Sequence, residues 1–291
     1  MRRRLFAATV IAALALTGCA SPAATSPQAP SSAVVQRIVP LNGDLAEIVW
    51  ALGLGDQVVG VDTSALYPAE AAAKQPKIGY QRQLAAEGIL SLKPTLVIGT
   101  AEAGRPEVIE QIKQAGVKVE ILAVPSTVDE VPDRIKKVAT TLGVAAKGEQ
   151  LATQAKKDIH AAKKAAATSS TRVAFLYVRG QTTAMISGKG TRAAAMIAAT
   201  GLTDAGVQAG IEGYKPITPE ALAATKPDVL VLLDAGLQSV GGVDGLLKLP
   251  GVAQTPAGTS RKIVSLEDSY LLNLGPRTGA ALKDLIAKVN G

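Results

Sequence analysis

Histidine and cysteine are almost absent from this 291-residue chain, which has one of each, His160 and Cys19. A single cysteine excludes a disulfide within the chain. A single histidine excludes a three-histidine zinc or manganese centre and any bis-histidine ligation of iron. Aromatic residues make up only 3% of the chain, and the basic residues are scattered with no stripe of interleaved aromatics, so nucleic acid is not expected as a partner. Signatures of catalysis are missing too. There is no G-x-S-x-G elbow, and His160 sits in a lysine-rich segment where a solvated helix face is the default. The stretch "SGKGT" at Ser187–Thr191 lacks the G-x-x-x-x-G-K-[ST] spacing of a phosphate loop. An enzyme is not expected.

What is present begins with a targeting pattern. Arg2, Arg3 and Arg4 precede an apolar run from Leu5 to Leu16 that is too short for the ~20 residues of a membrane-spanning helix, which predicts an export signal over residues 1–18. Leu16-Thr17-Gly18-Cys19 resembles a bacterial lipobox. That resemblance implies a lipid on Cys19 and a location on the outer face of the cytoplasmic membrane, or in the periplasm. The following "ASPAATSPQAPSSAVV" has no charge and few large apolar groups, so residues 19–35 read as a flexible tether. The whole chain carries +7, of which residues 1–18 hold three arginines and no acid, leaving a mild +4.

After the tether, short β-branched runs alternate with helical patterns. "QRIVPL", "QVVGVD", "PTLVIG" and "VKVEIL" precede residue 125, and "TRVAFLYV", "PDVLVLL" and "RKIVSL" follow residue 170. Such alternation predicts an α/β fold of two Rossmann-like lobes with parallel sheets, an N-terminal lobe over 36–143 and a C-terminal lobe over 169–291. Between them, residues 144–168 are rich in Ala, Lys and Gln and free of proline, which predicts one long interlobe helix with Leu151, Ala155 and Ile159 on its apolar face. The lobes also echo each other. In "AEGILSLKPTLVIG" and "PEALAATKPDVLVLL" a glutamate (Glu87, Glu220) opens a short helix, a Lys-Pro turn stops it and a buried strand follows. A glutamate in a first helical turn is explained by the helix dipole; its recurrence in the second lobe also fits a paired surface role.

Nearly the whole of the chain after the tether resembles the cluster III, or helical-backbone, substrate-binding proteins of ABC importers for haem, siderophores and cobalamin. The opening "RIVPLNGDLAEIVWALGLGDQVVGVD" is shared across that family. "KIGYQRQLAAEGILSLKPTLVIG", "ISGKGTRAAAMIAATG", "GYKPITPEAL" and "GGVDGLLKLPGVAQTPAG" are most similar to the haem-binding branch. The resemblance implies hemin as ligand, an ABC permease with its ATPase as partners, and Glu87 and Glu220 as the glutamates that meet permease arginines. It also implies that Tyr80 ligates haem iron at the mouth of the interlobe cleft. A ferric siderophore or cobalamin receptor of the same fold, and an extracellular haem-handling protein that works without a transporter, remain the alternatives.

The chemistry of those residues fits haem. Ferric iron binds a phenolate oxygen well, whereas free tyrosine loses its proton only near pH ~10. In an extended run, Arg82 falls on the same side as Tyr80, where its cation favours the phenolate and can meet a haem propionate. The alternative is a tyrosine that merely caps a strand, with an arginine on the helix flank. Tyr177 and Arg179 lie at the C-terminal end of a predicted strand, where open α/β sheets place ligands. They are further candidates for the cleft, with Tyr214 and Met185 behind them.

Overall fold

The structure, a computed structural model, describes residues 36–166 and 170–291. Residues 1–35, which include the expected signal, the tether and Cys19, and residues 167–169 at the expected end of the interlobe helix, lie outside the described residues.

In the N-terminal lobe, β1 (Ile38–Pro40), β2 (Leu96–Gly99) and β3 (Lys118–Ile121) form a parallel sheet in that order. β1 and β2 are buried throughout, as strands covered on both faces must be, whereas β3 is a partly exposed edge carrying a Lys118–Glu120 ion pair of 3.2 Å. The run "QVVGVD" does not become a strand. It contributes only single bridges, Ile38 to Val58 and Val61 to Lys77. At Gly60 a Cβ would lie 2.3 Å from Leu92 Cδ1, and Asp62 turns the chain by accepting from Ser64 N at 3.0 Å. The run therefore touches β1 at a single parallel bridge instead of extending the sheet.

The second sheet is mixed where parallel strands were expected. β4 (Arg172–Arg179) pairs in parallel with β6 (Thr203–Asp204) and β8 (Val229–Leu233), and β8 with β9 (Ile263–Leu266). The outer half of β4 instead pairs antiparallel with β5 (Thr183–Ser187), and β5 with β7 (Tyr214–Pro216). The cause is local. Only three residues separate β4 from β5, and Gly180 turns the chain at φ +58°; so short a connection permits a hairpin but no parallel crossover. The echo between lobes is structural as well: Lys93 (φ +48°) and Lys226 (φ +45°) both adopt the left-handed conformation before their prolines.

The interlobe helix, Ala145–Ala165, buries Gly148, Ala152, Ala155, Ile159 and Ala162, with Leu151 half-buried beside them. It packs between helix Val131–Thr141 of the first lobe and the C-terminal helix Thr278–Asn290 of the second. Small residues allow close approach at both contacts. A Cβ on Gly148 would lie 2.3 Å from Ala139 Cβ, and one on Gly279 would lie 2.5 to 2.7 Å from Asp158 Cβ, Asp158 C and Ile159 N. One apolar core thus runs from Ile38 through this helix to Val289.

A second link is polar. Glu47, in the opening helix Gly43–Ala51, is 2% exposed and receives Arg277 Nε and Nη2 at 3.0 and 2.9 Å, together with Asn273 Nδ2 at 3.0 Å. The guanidinium carbon of Arg277 also lies 3.6 Å from the ring centre of Tyr67. Burial works against the charge of Arg277, but the Glu47 contacts outweigh it and hold its pKa above the usual value.

Gly279→Ala is expected to lower the free energy of unfolding by about 1–3 kcal/mol, because backbone surrounds the added methyl group; the gain of about 1 kcal/mol in helix propensity does not offset this. Urea denaturation measures it, and stability equal to wild type would mean that the two helices do not meet at this glycine. Arg277→Met strands a buried carboxylate and is expected to cost about 3 kcal/mol. The double variant Arg277→Met, Glu47→Met should recover most of that loss, whereas additive losses would show the two residues to be uncoupled.

Candidate ligand-binding cleft

Tyr80 stands on a turn held from three directions. Gly79, at φ +102°, reverses the chain after Ile78, and Gln83 N closes the turn on Tyr80 O at 2.7 Å. Gly104 N donates to Gln81 O at 2.6 Å, and the Gln81 side chain accepts from Asn42 Nδ2. Asn42, buried at the end of β1, also accepts from Thr100 N at 3.0 Å just beyond β2. The C-terminal ends of two strands thus fix the residue between Tyr80 and Arg82. The pair meets through this turn and not through an extended run: Arg82 Nη1 donates to Tyr80 Oη at 3.1 Å, and its guanidinium carbon lies 6.0 Å from the ring centre. Tyr80 remains 41% exposed.

The other candidate residues lie on the antiparallel hairpin of the second lobe. Tyr177 on β4 lies opposite Met185 on β5, and Ser187 opposite Tyr214 on β7, so alternate residues Phe175, Tyr177 and Arg179 share a face with Met185 and Tyr214. The Tyr214 ring stands edge-on to Phe175 at 6.3 Å and to Tyr177 at 6.1 Å. Arg179 lies 4.7 Å over the Tyr177 ring and is ion-paired with Asp268. Desolvation pushes the Tyr214 phenol up to about 12, with the Arg192 and Arg82 charges acting in the opposite direction.

A cluster of four charges links the two lobes. Asp44, at the start of the opening helix, accepts from Arg134 Nη2 at 2.7 Å, both side chains being buried. Burial draws the pKa of Arg134 below its usual value, against the pull of Asp44. From the second lobe, Arg192 reaches Asp44 at 3.6 Å and Glu102 at 3.3 Å.

The structure brings Tyr80 and Arg82 together on one lobe and Tyr177, Arg179, Met185 and Tyr214 together on the other. Glu87 and Glu220 lie elsewhere, each exposed in the first turn of a short helix, Ala86–Leu90 and Pro219–Thr225. His160 is exposed on the interlobe helix. Among the described residues, no group of three or more His, Cys, Asp or Glu could hold a metal ion. Sequence reasoning missed Asn42, Gln81, Asp44, Glu102, Arg134 and Arg192. In sequence they read as helix caps and helix-flank charges, and only the repeated Tyr-x-Arg spacing, at Tyr80–Arg82 and Tyr177–Arg179, pointed toward their neighbourhood.

Comparisons with known proteins agree with this architecture. The family described as "Periplasmic binding protein" matches residues 38–270. The solved periplasmic heme-binding protein RhuT from Roseiflexus sp. RS-1, in apo form, is similar at 52% identity and a TM-score of 0.85, over 87% of this chain and 97% of that one. Periplasmic heme-binding protein BhuT, in complex with two hemes, is similar at 41% identity and a TM-score of 0.82, over 87% of this chain and 97% of its own. An uncharacterized ABC transporter substrate-binding lipoprotein of Bacillus subtilis (strain 168), YvrC, is 27% identical over 99% of this chain and 97% of its own. These relatives are binding proteins and not enzymes, and they work outside the cytoplasm. The chain, two α/β lobes joined by one helix, belongs to the periplasmic binding protein family.

Proposed function

We propose that this protein captures haem in the cleft between its lobes and delivers it to the permease of an ABC importer. In this reading it is an exported lipoprotein held at the membrane through a lipid on Cys19. The observation that carries the reading is the Tyr80 turn, an open tyrosine hydroxyl fixed by the ends of β1 and β2 and hydrogen-bonded to a permanent cation, Arg82. A phenolate is a hard ligand for ferric iron. Tyr214 offers an aromatic edge and a hydroxyl donor. Tyr177, Arg179 and Met185 line the facing wall, where their ring, cation and thioether suit a flat apolar macrocycle with charged edges.

Delivery is assigned to Glu87 and Glu220. Each is exposed at the start of a matching helix, one in each lobe, so two arginines on a permease with its own paired subunits can meet them together. The high identity to solved heme-binding proteins supports haem over cobalamin or a ferric siderophore.

Tyr80→Phe removes one oxygen and keeps the ring, so packing should survive while iron coordination fails. Titrating purified protein with hemin should give a Soret band and a high-spin charge-transfer feature for wild type, and Tyr80→Phe should lose the latter. An identical ferric spectrum in the variant would contradict Tyr80 as the ligand, and the absence of any hemin complex in wild type would contradict the haem reading itself.

A further inference from the structure

Five arginines of the two lobes are engaged, but not equally. Arg277 is bound in bidentate fashion to the buried Glu47, Arg179 is paired with Asp268, and Arg82 is engaged by the Tyr80 hydroxyl. Arg134 holds Asp44 at 2.7 Å with both groups buried. Arg192 differs from these. It opens the helix Arg192–Ala199 of the second lobe, yet its acids belong to the first, and both contacts are long: 3.3 Å to Glu102 and 3.6 Å to an Asp44 already satisfied by Arg134. The Arg192 side chain is 21% exposed and that of Glu102 47% exposed. A half-open pair of this kind contributes little net energy, because water competes for both partners. It is therefore exchangeable where the buried pairs are not.

Charge and position show what the exchange serves. Asp44, Glu102, Arg134 and Arg192 together are neutral, so a second anion beside Arg192 requires Glu102 to withdraw. Glu102 can do so, because its side chain stands exposed on a turn after β2 while the turn itself is held by backbone, Glu102 N donating to Thr100 Oγ1 at 3.3 Å. Arg192 reaches across from the second lobe to acids of the first, so its charge stands where the two lobes meet.

We propose that Glu102 is an internal placeholder: it occupies Arg192 while the cleft is empty, and a carboxylate of the incoming ligand takes its place. Arg192 is then the residue that recognises the ligand's anionic edge, and a direct contact between the lobes is exchanged for one made through the ligand. The fork of donors on a guanidinium matches a carboxylate's two oxygens, and shielding by a bound macrocycle strengthens the new pair relative to the old one. The inference rests on the haem reading, since ferric protoporphyrin carries two propionates.

The test compares hemin with hemin dimethyl ester, which keeps the ring and iron and removes both carboxylate charges. Glu102→Gln preserves shape and frees Arg192, so hemin should bind more tightly by up to about fivefold, with the ester unchanged. Arg192→Gln leaves Asp44 paired with Arg134 and should bind hemin about tenfold more weakly, again with the ester unchanged. Unchanged ester affinity also reports an intact fold. Equal losses for both ligands in Arg192→Gln, or no gain for hemin in Glu102→Gln, would overturn the placeholder role while leaving haem binding in place. Failure of the wild type to bind either ligand would overturn the haem reading and this inference with it.

Discussion

A carboxylate withdrawn from water has to be met by a cation, because the desolvation penalty amounts to several kcal/mol per ion even after relaxation. The opening helix Gly43–Ala51 withdraws two. Asp44 and Glu47, three residues apart, are both 2% exposed; Asp44 is met by Arg134 of its own lobe and Glu47 by Arg277 of the second. The Glu47 contact does not slide: Arg277 must stay within hydrogen-bonding distance, or a buried carboxylate loses its partner. The interlobe helix adds the same restriction in apolar form, with glycines at its crossings that let backbone touch backbone.

The cleft inherits its geometry from this arrangement. With the lobes held, the Tyr80 turn and the hairpin wall stand in fixed relation before any ligand arrives, so little ordering remains to oppose binding. Aromatic residues are few, yet tyrosines and arginines keep company throughout: Tyr67 and Tyr270 flank Arg277, Tyr80 meets Arg82, and Tyr177 lies under Arg179. Some of these pairs have structural work. Tyr270 donates to Asp284 at 2.9 Å, and Tyr67 covers the Glu47–Arg277 contact between the lobes. The pair at Tyr80 differs in being exposed, its hydroxyl bonded only by Arg82 among the described residues.

Much of the fold was legible because continuous apolar runs such as "PTLVIG" and "PDVLVLL" have no alternative to becoming doubly covered strands, and because Lys-Pro after a short helix stops it in both lobes. The run "QVVGVD" misled, since its pattern suits a strand but its glycine is pressed against Leu92 and its aspartate turns the chain. The antiparallel hairpin was not foreseen, because Gly180-Gln181-Thr182 carries none of the strong turn dipeptides. In the cleft, Tyr80 and Arg82 could be paired by their spacing, although a turn and not an extended run brings them together. Asp44 and Glu102 could not be read at all: an acid in a first helical turn or a loop looks solvated until a distant arginine is seen to meet it. Arg192, in "GTRAAAM", looks equally like a helix flank.

The central claim is that these links between the lobes hold the cleft in nearly one shape, so that binding proceeds by local adjustment around Tyr80, Glu102 and Arg179 with only a small rotation of the lobes. An uninterrupted helix has no proline, glycine pair or bulge at which to bend sharply, and Gly148 of the interlobe helix lies near its start, pressed against Ala139. Small-angle X-ray scattering from the protein with and without hemin tests this directly. The two curves should nearly superimpose, whereas a clear contraction of the radius of gyration on binding would show that neither the interlobe helix nor the arginine–carboxylate contacts restrain the cleft.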